Sequence, residues 1–238
     1  MAFNYSPKVI TDGLVLYLDA ANPNSYVSGS TTWRDISRGG NNGTLVNGPT
    51  FDRSSGGVLN FDGTDECVLT NTSVITSVTD FTIDIIILYN SSNPVNSSVF
   101  GYGIPPDSNS NLGFMLHAAA DGFYLLISDG TNRPSGVSIS GLVNNSINHL
   151  TFVVKSNGVT KAYKNGTFLS TSTPSSFTTI NVNSSFIVAM GRDVRYNTGT
   201  SLRHFLGGIF STKLYNRELT TSEILQNYNA TKTRFGLT

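Results

Sequence analysis

Phe81-Thr82-Ile83-Asp84-Ile85-Ile86-Ile87-Leu88-Tyr89 is the stretch whose reading decides the fold. In an extended chain Phe81, Ile83, Ile85 and Ile87 fall on one face, and Thr82, Asp84, Ile86 and Leu88 on the other. β-Branched residues dominate the stretch and fit a pleated, buried surface. It reads as a long strand. Asp84, alone among apolar neighbours, is either a perturbed acid or, on the plainer reading, a residue on the polar or sheet-edge side of that strand.

Working outward, short apolar runs recur between polar, Gly-rich breaks. Leu14–Leu18, Val58–Phe61, Cys67–Leu69, Leu112–Leu116, Phe123–Ser128, His149–Lys155, Val159–Lys164, Phe186–Met190 and Ile209–Tyr215 all read as strands. After Lys164, Asn165-Gly166 supplies the two positive φ values of a type I′ turn, and Thr167-Phe168-Leu169 returns as the second arm of a hairpin. Thr220-Thr221-Ser222-Glu223 has capping-box spacing, with Thr220 as N-cap. Ile224, Leu225 and Tyr228 follow on one stripe, so a single short helix is expected near the C-terminus. No internal repeat or linker breaks the pattern. The expectation is an all-β, two-sheet antiparallel jelly-roll sandwich over residues 12–238, preceded by an N-terminal arm, 1–11.

Composition narrows the function. The 238 residues contain one cysteine, Cys67, which rules out an intrachain disulfide; in its alternating run it reads as a small buried side chain. Charged residues make up 13%, about half the usual share of roughly 25%, and fifteen Lys and Arg balance fifteen Asp and Glu. That balance argues against nucleic acid and anionic membrane, which need a basic face. No apolar run approaches the ~20 residues of a membrane span. The N-terminus lacks a basic start followed by an apolar stretch, so no secretion signal is expected. Triplets such as Asn71-Thr72-Ser73 then read as products of an Asn, Ser and Thr-rich composition.

Five pieces in order carry a resemblance: Asp12-Gly13-Leu14-Val15-Leu16-Tyr17-Leu18-Asp19, Trp33-Arg34-Asp35-Ile36-Ser37, Asn42-Gly43-Thr44-Leu45-Val46-Asn47-Gly48-Pro49, Leu59-Asn60-Phe61-Asp62-Gly63-Thr64-Asp65-Glu66 and Leu214-Tyr215-Asn216-Arg217-Glu218-Leu219-Thr220. Together they resemble the concanavalin A-like, laminin-G-like jelly-roll family, from about Ile10 to Ala230. The resemblance implies a binding or structural module. Many members carry an acidic pair in the last strand, where this chain has Phe210-Ser211. A copy without a secretion signal resembles the laminin-G-like domains of tailed-phage virion proteins, assembled in the host cytoplasm. That implies capsid or other virion proteins as partners, with surface glycans as a second class of ligand. The alternative is a glycan-binding lectin or host-attachment adhesin. Trp33 is expected to seal one end of the core, with its indole N–H partnered at the edge.

Catalytic patterns are absent. Glycoside hydrolysis needs two carboxylates flanking the bond, yet Glu66, Glu218 and Glu223 share no strand. His117, His149 and His204 lack metal-ligand spacing, and no phosphate loop occurs. No enzyme and no cofactor are expected. Calcium at a loop rim has candidates in Asp107-Ser108-Asn109-Ser110-Asn111, Asp129 and Asp193, but the twelfth position of an EF-hand-like loop is Ala118. The plainer reading is a solvated polar loop. For glycans, Tyr102 with Asp107 and Asn109, or Arg192 and Asp193 with Tyr196, could pair an aromatic platform with polar groups. Phe3 and Tyr5 on the arm are candidate anchors for a partner protein.

Overall fold

Strands follow one another as β1 (Leu14–Asp19), β2 (Thr32–Trp33), β3 (Gly43–Val46), β4 (Thr50–Asp52), β5 (Val58–Asp62) and β6 (Cys67–Thr70). Then come β7 (Phe81–Leu88), β8 (Ser98–Gly103), β9 (Leu112–Ala119), β10 (Gly122–Asp129) and β11 (Ser135–Ile139). The last are β12 (Ile147–Val154), β13 (Thr160–Lys164), β14 (Thr167–Ser172), β15 (Val188–Met190) and β16 (Leu206–Tyr215), followed by helix α1 (Thr221–Thr231). This computed structural model describes residues 7–70, 74–75, 80–103, 112–131, 135–173, 187–193 and 203–237.

Two antiparallel sheets form the expected sandwich. One runs β14-β13-β12-β7-β16-β5-β4, with β1 also beside β16; the other runs β11-β10-β9-β8-β15-β6-β3-β2. The first and last strands pair, Leu16 opposite Leu214 and Asp19 opposite Ser211. The decisive stretch becomes β7, enclosed by β12 and β16. Its Phe81, Ile83, Ile85 and Ile87 face the opposite sheet, where Phe81 stacks on Phe114 with centroids 4.2 Å apart. Cys67 is buried, as expected, and burial pushes its thiol up.

The other face of β7 departs from the plainer reading. It is roofed by α1 and the tail after it: Ile86 packs with Phe210, Tyr228 and Phe235, and Ile224 with Tyr215, Leu219, Val153 and Tyr163. Asp84 is therefore neither on a polar face nor at an edge. It is wholly buried in an inner strand, under a helix.

Local signals are realised in detail. Thr220 Oγ1 accepts from the Glu223 N–H at 3.3 Å, and Glu223 Oε2 accepts from the Thr220 N–H at 2.8 Å. Asn165 and Gly166 take φ of 51° and 75°, and Lys164 pairs with Thr167 across them. Asp35 explains the Trp33–Ser37 motif. Its carboxylate accepts from the N–H groups of Tyr17, Ser37 and Asn41, each at 2.8 Å, pinning the 34–42 loop to β1. Trp33 corrects an expectation: the ring is fully buried, and its indole N–H has no hydrogen-bond partner among the described residues. Lys8 and Ile10 lie along α1, bonded to Gln226 and Asn227. Phe3 and Tyr5 lie outside the described residues.

Candidate functional site

Of the two expected glycan sets, Tyr102, Arg192 and Asp193 lie among the described residues. Tyr102 is fully buried. Its ring packs 5.5 Å from that of Phe114 and its hydroxyl donates to the Ile75 carbonyl, so it is core and offers no face to a sugar. Asp107, Asn109 and Tyr196 lie outside the described residues. Arg192, half-buried, and Asp193, buried, follow β15. Met190 pairs with Phe100 and Val188 with Tyr102, so Arg192 lies at the end of β8 opposite to Gly103, where the 104–111 segment departs. The calcium candidates divide the same way. Asp129 pairs with Leu112 beside the Gly103 end, while Asp193 is at the other. Among the described residues no three His, Cys, Asp or Glu side chains are grouped as a metal would need.

The carboxylates considered for hydrolysis are committed to structural partners. Glu218 pairs with Lys155 at 3.0 Å and Lys161 at 2.8 Å. Glu223 pairs with Arg217 at 2.6 Å. Glu66 Oε2 accepts from the Asp62 N–H at 2.7 Å. Asp84 meets Lys213 at 2.8 Å and His149 Nε2 at 2.9 Å. Burial alone would raise the Asp84 carboxyl; the His149 and Lys213 charges outweigh it and hold the group well below the usual carboxylate range.

A concave surface lies elsewhere, at the margin where β4 edges one sheet and β2–β3 edge the other. The segment after β1 crosses between these edges and brings Tyr26 against Phe51, ring centroids 5.1 Å apart and tilted 55°. Tyr26 is buried, its hydroxyl donating to the Ser30 carbonyl at 3.1 Å, and Phe51 is half-buried. A hollow of about 380 Å³ opens on one side of the pair, against Pro23, Val27 and Arg53. Another of about 560 Å³ opens on the other, against Thr31, Asn47 and Pro49. Tyr26, Ser28 and Phe51 line both, so the two read as one groove divided by an aromatic ridge. Gly57 (φ 99°) lets the wall approach Ala21, since a Cβ there would sit 2.8 Å from the Ala21 Cα. Arg53 is exposed and forms no ion pair with the described residues.

Such a groove has the size and mixed lining of a small-ligand site. Of its makers, Asn47 belongs to a family motif of the sequence, while Tyr26, Phe51 and Arg53 carry no signal there. Asn47-Gly48-Pro49 announces a turn, but nothing local says that Phe51 beyond it meets Tyr26.

The two packed antiparallel sheets, closed by the first and last strands, define a concanavalin A-like jelly-roll domain. The family model described as the concanavalin A-like lectin/glucanases superfamily (Laminin_G_3) matches residues 61–225, and the chain belongs to that superfamily. No curated protein matches the chain. Among solved structures, domain 4 of an extracellular arabinanase from Geobacillus stearothermophilus, in complex with arabinotriose, is similar at 18% identity and TM-score 0.67. That match covers 92% of this chain and 100% of that one. The binding domain of Paraclostridial Mosquitocidal Protein 1 (16% identity, TM-score 0.66) and that of botulinum neurotoxin serotype D (13%, 0.66) each match over 92% of this chain. The chain spans about half the length of those two toxin domains, 52% in each case. These likenesses concern the fold.

Proposed function

We propose that this chain is a non-catalytic binding module for neutral glycans, with the Tyr26–Phe51 groove as its sugar subsite. The carrying observation is the half-exposed Phe51 ring set between two hollows, with Arg53, whose guanidinium forms no ion pair with the described residues, on one side and the Asn47 amide on the other. A sugar ring presents C–H groups to an aromatic face and hydroxyls to such polar groups. The neutral, Asn/Ser/Thr/Gly-rich composition suits an uncharged ligand, and an arabinotriose complex on the same fold supports the class. The commitment of Glu66, Glu218, Glu223 and Asp84 to structural partners supports binding without hydrolysis.

A panel of neutral oligosaccharides, arabino-oligosaccharides included, measured by calorimetry and array tests the reading. Phe51→Ala is expected to weaken binding at least tenfold, about 1.4 kcal/mol, with the fold intact by circular dichroism. Binding untouched by Phe51→Ala, or no binding across the panel, overturns the site. Release of reducing ends that disappears on replacing a single Asp or Glu overturns the non-catalytic reading. The virion setting, supported by the family resemblance together with the neutral, Asn/Ser/Thr/Gly-rich composition, belongs to the same proposal. Absence of the protein from purified particles by mass spectrometry removes it.

A further inference from the structure

Beneath α1, four elements deliver polar side chains to one enclosed point: Asp84 from β7, His149 from β12, Lys213 from β16 and Asn227 from α1. All four are essentially without solvent contact. Their arrangement is more specific than an ion pair requires. Lys213 Nζ sits 2.8 Å from Asp84 Oδ1, and Asn227 Nδ2 donates to Asp84 Oδ2 at 3.1 Å, so an amine and a carboxamide share the two oxygens of one carboxylate. The carboxamide orientation is fixed by its partners. Nδ2 faces two acceptors, Asp84 Oδ2 and the Tyr215 hydroxyl at 2.9 Å, while Oδ1 accepts from the Ile10 N–H at 2.9 Å. The Tyr17 ring lies 5.2 Å from Nζ, and His149, 2.9 Å from Asp84 Oδ1, stacks on Tyr228. Tyr17 in turn donates to Asp19, which pairs with Arg234.

A nucleophile, an acid–base group, an acyl acceptor and an oxyanion donor are thus held together away from water. We propose that Lys213 and Asn227 become joined by an intramolecular isopeptide bond, formed once, with Asp84 as the proton-transfer group. The resting state is the ion pair. A proton passes from the Lys213 ammonium to Asp84 Oδ1 along the 2.8 Å contact, leaving a neutral, nucleophilic amine. Nζ attacks Cγ of Asn227, the C–N bond forms, and negative charge develops on Oδ1, which the Ile10 N–H already contacts. Asp84 hands its proton to the departing Nδ2, to which Oδ2 is already bonded, and the old C–N bond breaks. The second proton lost from Nζ leaves with the ammonia as ammonium. Atoms and charge balance: lysine ammonium plus asparagine carboxamide give isopeptide plus ammonium, with no oxidant or cofactor. The bond would tie the last strand to the helix that roofs it, and so lock the C-terminal layer onto the sheet.

Intact mass of the full chain, denatured after folding and incubation at neutral pH, decides the matter. The expected result is a deficit of one ammonia, about 17 Da. Trypsin should then yield peptide 204–217, uncut after Lys213, joined to peptide 218–232, which contains Asn227. Asp84→Asn and Lys213→Arg should each show the full sequence mass. A folded wild-type chain of full mass overturns the proposal, whatever the variants do. So does a deficit that maps to a succinimide at Asn42-Gly43, Asn47-Gly48, Asn157-Gly158 or Asn165-Gly166 instead of to the cross-linked pair.

Discussion

Replacing Glu223 tests whether α1 is held on the sandwich by its first turn. The side chain does two jobs at once. Oε2 accepts from the Thr220 N–H at 2.8 Å, closing the capping box, and the carboxylate takes Arg217 Nη2 at 2.6 Å and Nη1 at 3.0 Å. Arg217 reaches on to Asp12 Oδ2 at 2.9 Å, so the pair also ties the end of β16 to the chain entering β1. Loss of the box contact costs about 1 kcal/mol. The Arg217 pair, with Glu223 a quarter exposed and screened by solvent, adds up to about 1 more. Glu223→Ala should therefore lose about 2 kcal/mol, a Tm lower by about 4–8 °C for a chain of this length. Glu223→Gln keeps an acceptor for the Thr220 N–H and should lose about half of that. The pH dependence follows from the carboxyl itself. The Arg217 hydrogen bonds, outweighing burial, bring it down to about 2 in the fold, from 4.5 in the free side chain. A depressed carboxyl stabilises fully above its unfolded value and loses that contribution as pH falls through its folded one. The stability gap between wild type and Glu223→Gln should hold at neutral pH and close between about 4.5 and 2. Urea unfolding at a series of pH values measures it. Equal midpoints for wild type and Glu223→Ala at neutral pH, or a gap that widens on acidification, refute the reasoning.

Two further outcomes concern the core. Phe114 stacks on Phe81 and also meets Phe100 and Tyr102, so Phe114→Ala should cost about 3–5 kcal/mol; a urea midpoint within error of wild type contradicts that packing. Cys67, wholly buried with its thiol pushed up by burial, should ignore a disulfide exchange reagent in the native state and react once urea unfolds the chain. Prompt reaction of the folded protein places it at the surface instead.

Elements whose signal is local were legible in the sequence. β7, the Asn165-Gly166 hairpin and the α1 cap each rest on periodicity or turn chemistry within one short stretch. β2, β3, β4, β8 and β11 were missed because strands of two to four residues carry too few alternations, and Gly101 and Gly136 interrupt the longer ones. The groove was invisible for a related reason. It exists only where the margins of two sheets and a crossing segment meet, which no window of sequence contains. Tyr102 shows the converse: an aromatic beside a Gly-rich, polar stretch looks like a sugar platform until its strand is placed inside the sheet.

Asp84 was misread for a physical reason that also bears on function. The alternation of β7 specifies two faces but not how many of them are covered. Thr82, Asp84, Ile86 and Leu88 form a mixed row, which an antiparallel sheet usually turns to water. Here the last seventeen residues described, 221–237, are spent on roofing that row. Once roofed, a lone carboxylate is intolerable unless paired, and the chain supplies Lys213 from the neighbouring strand and Asn227 from the roof itself. Apolar side chains of similar volume would pack the same space without that desolvation penalty. Retaining an amine, a carboxylate and a carboxamide at one dry point therefore calls for a use that stability alone does not provide, and the bond between Lys213 and Asn227 supplies one.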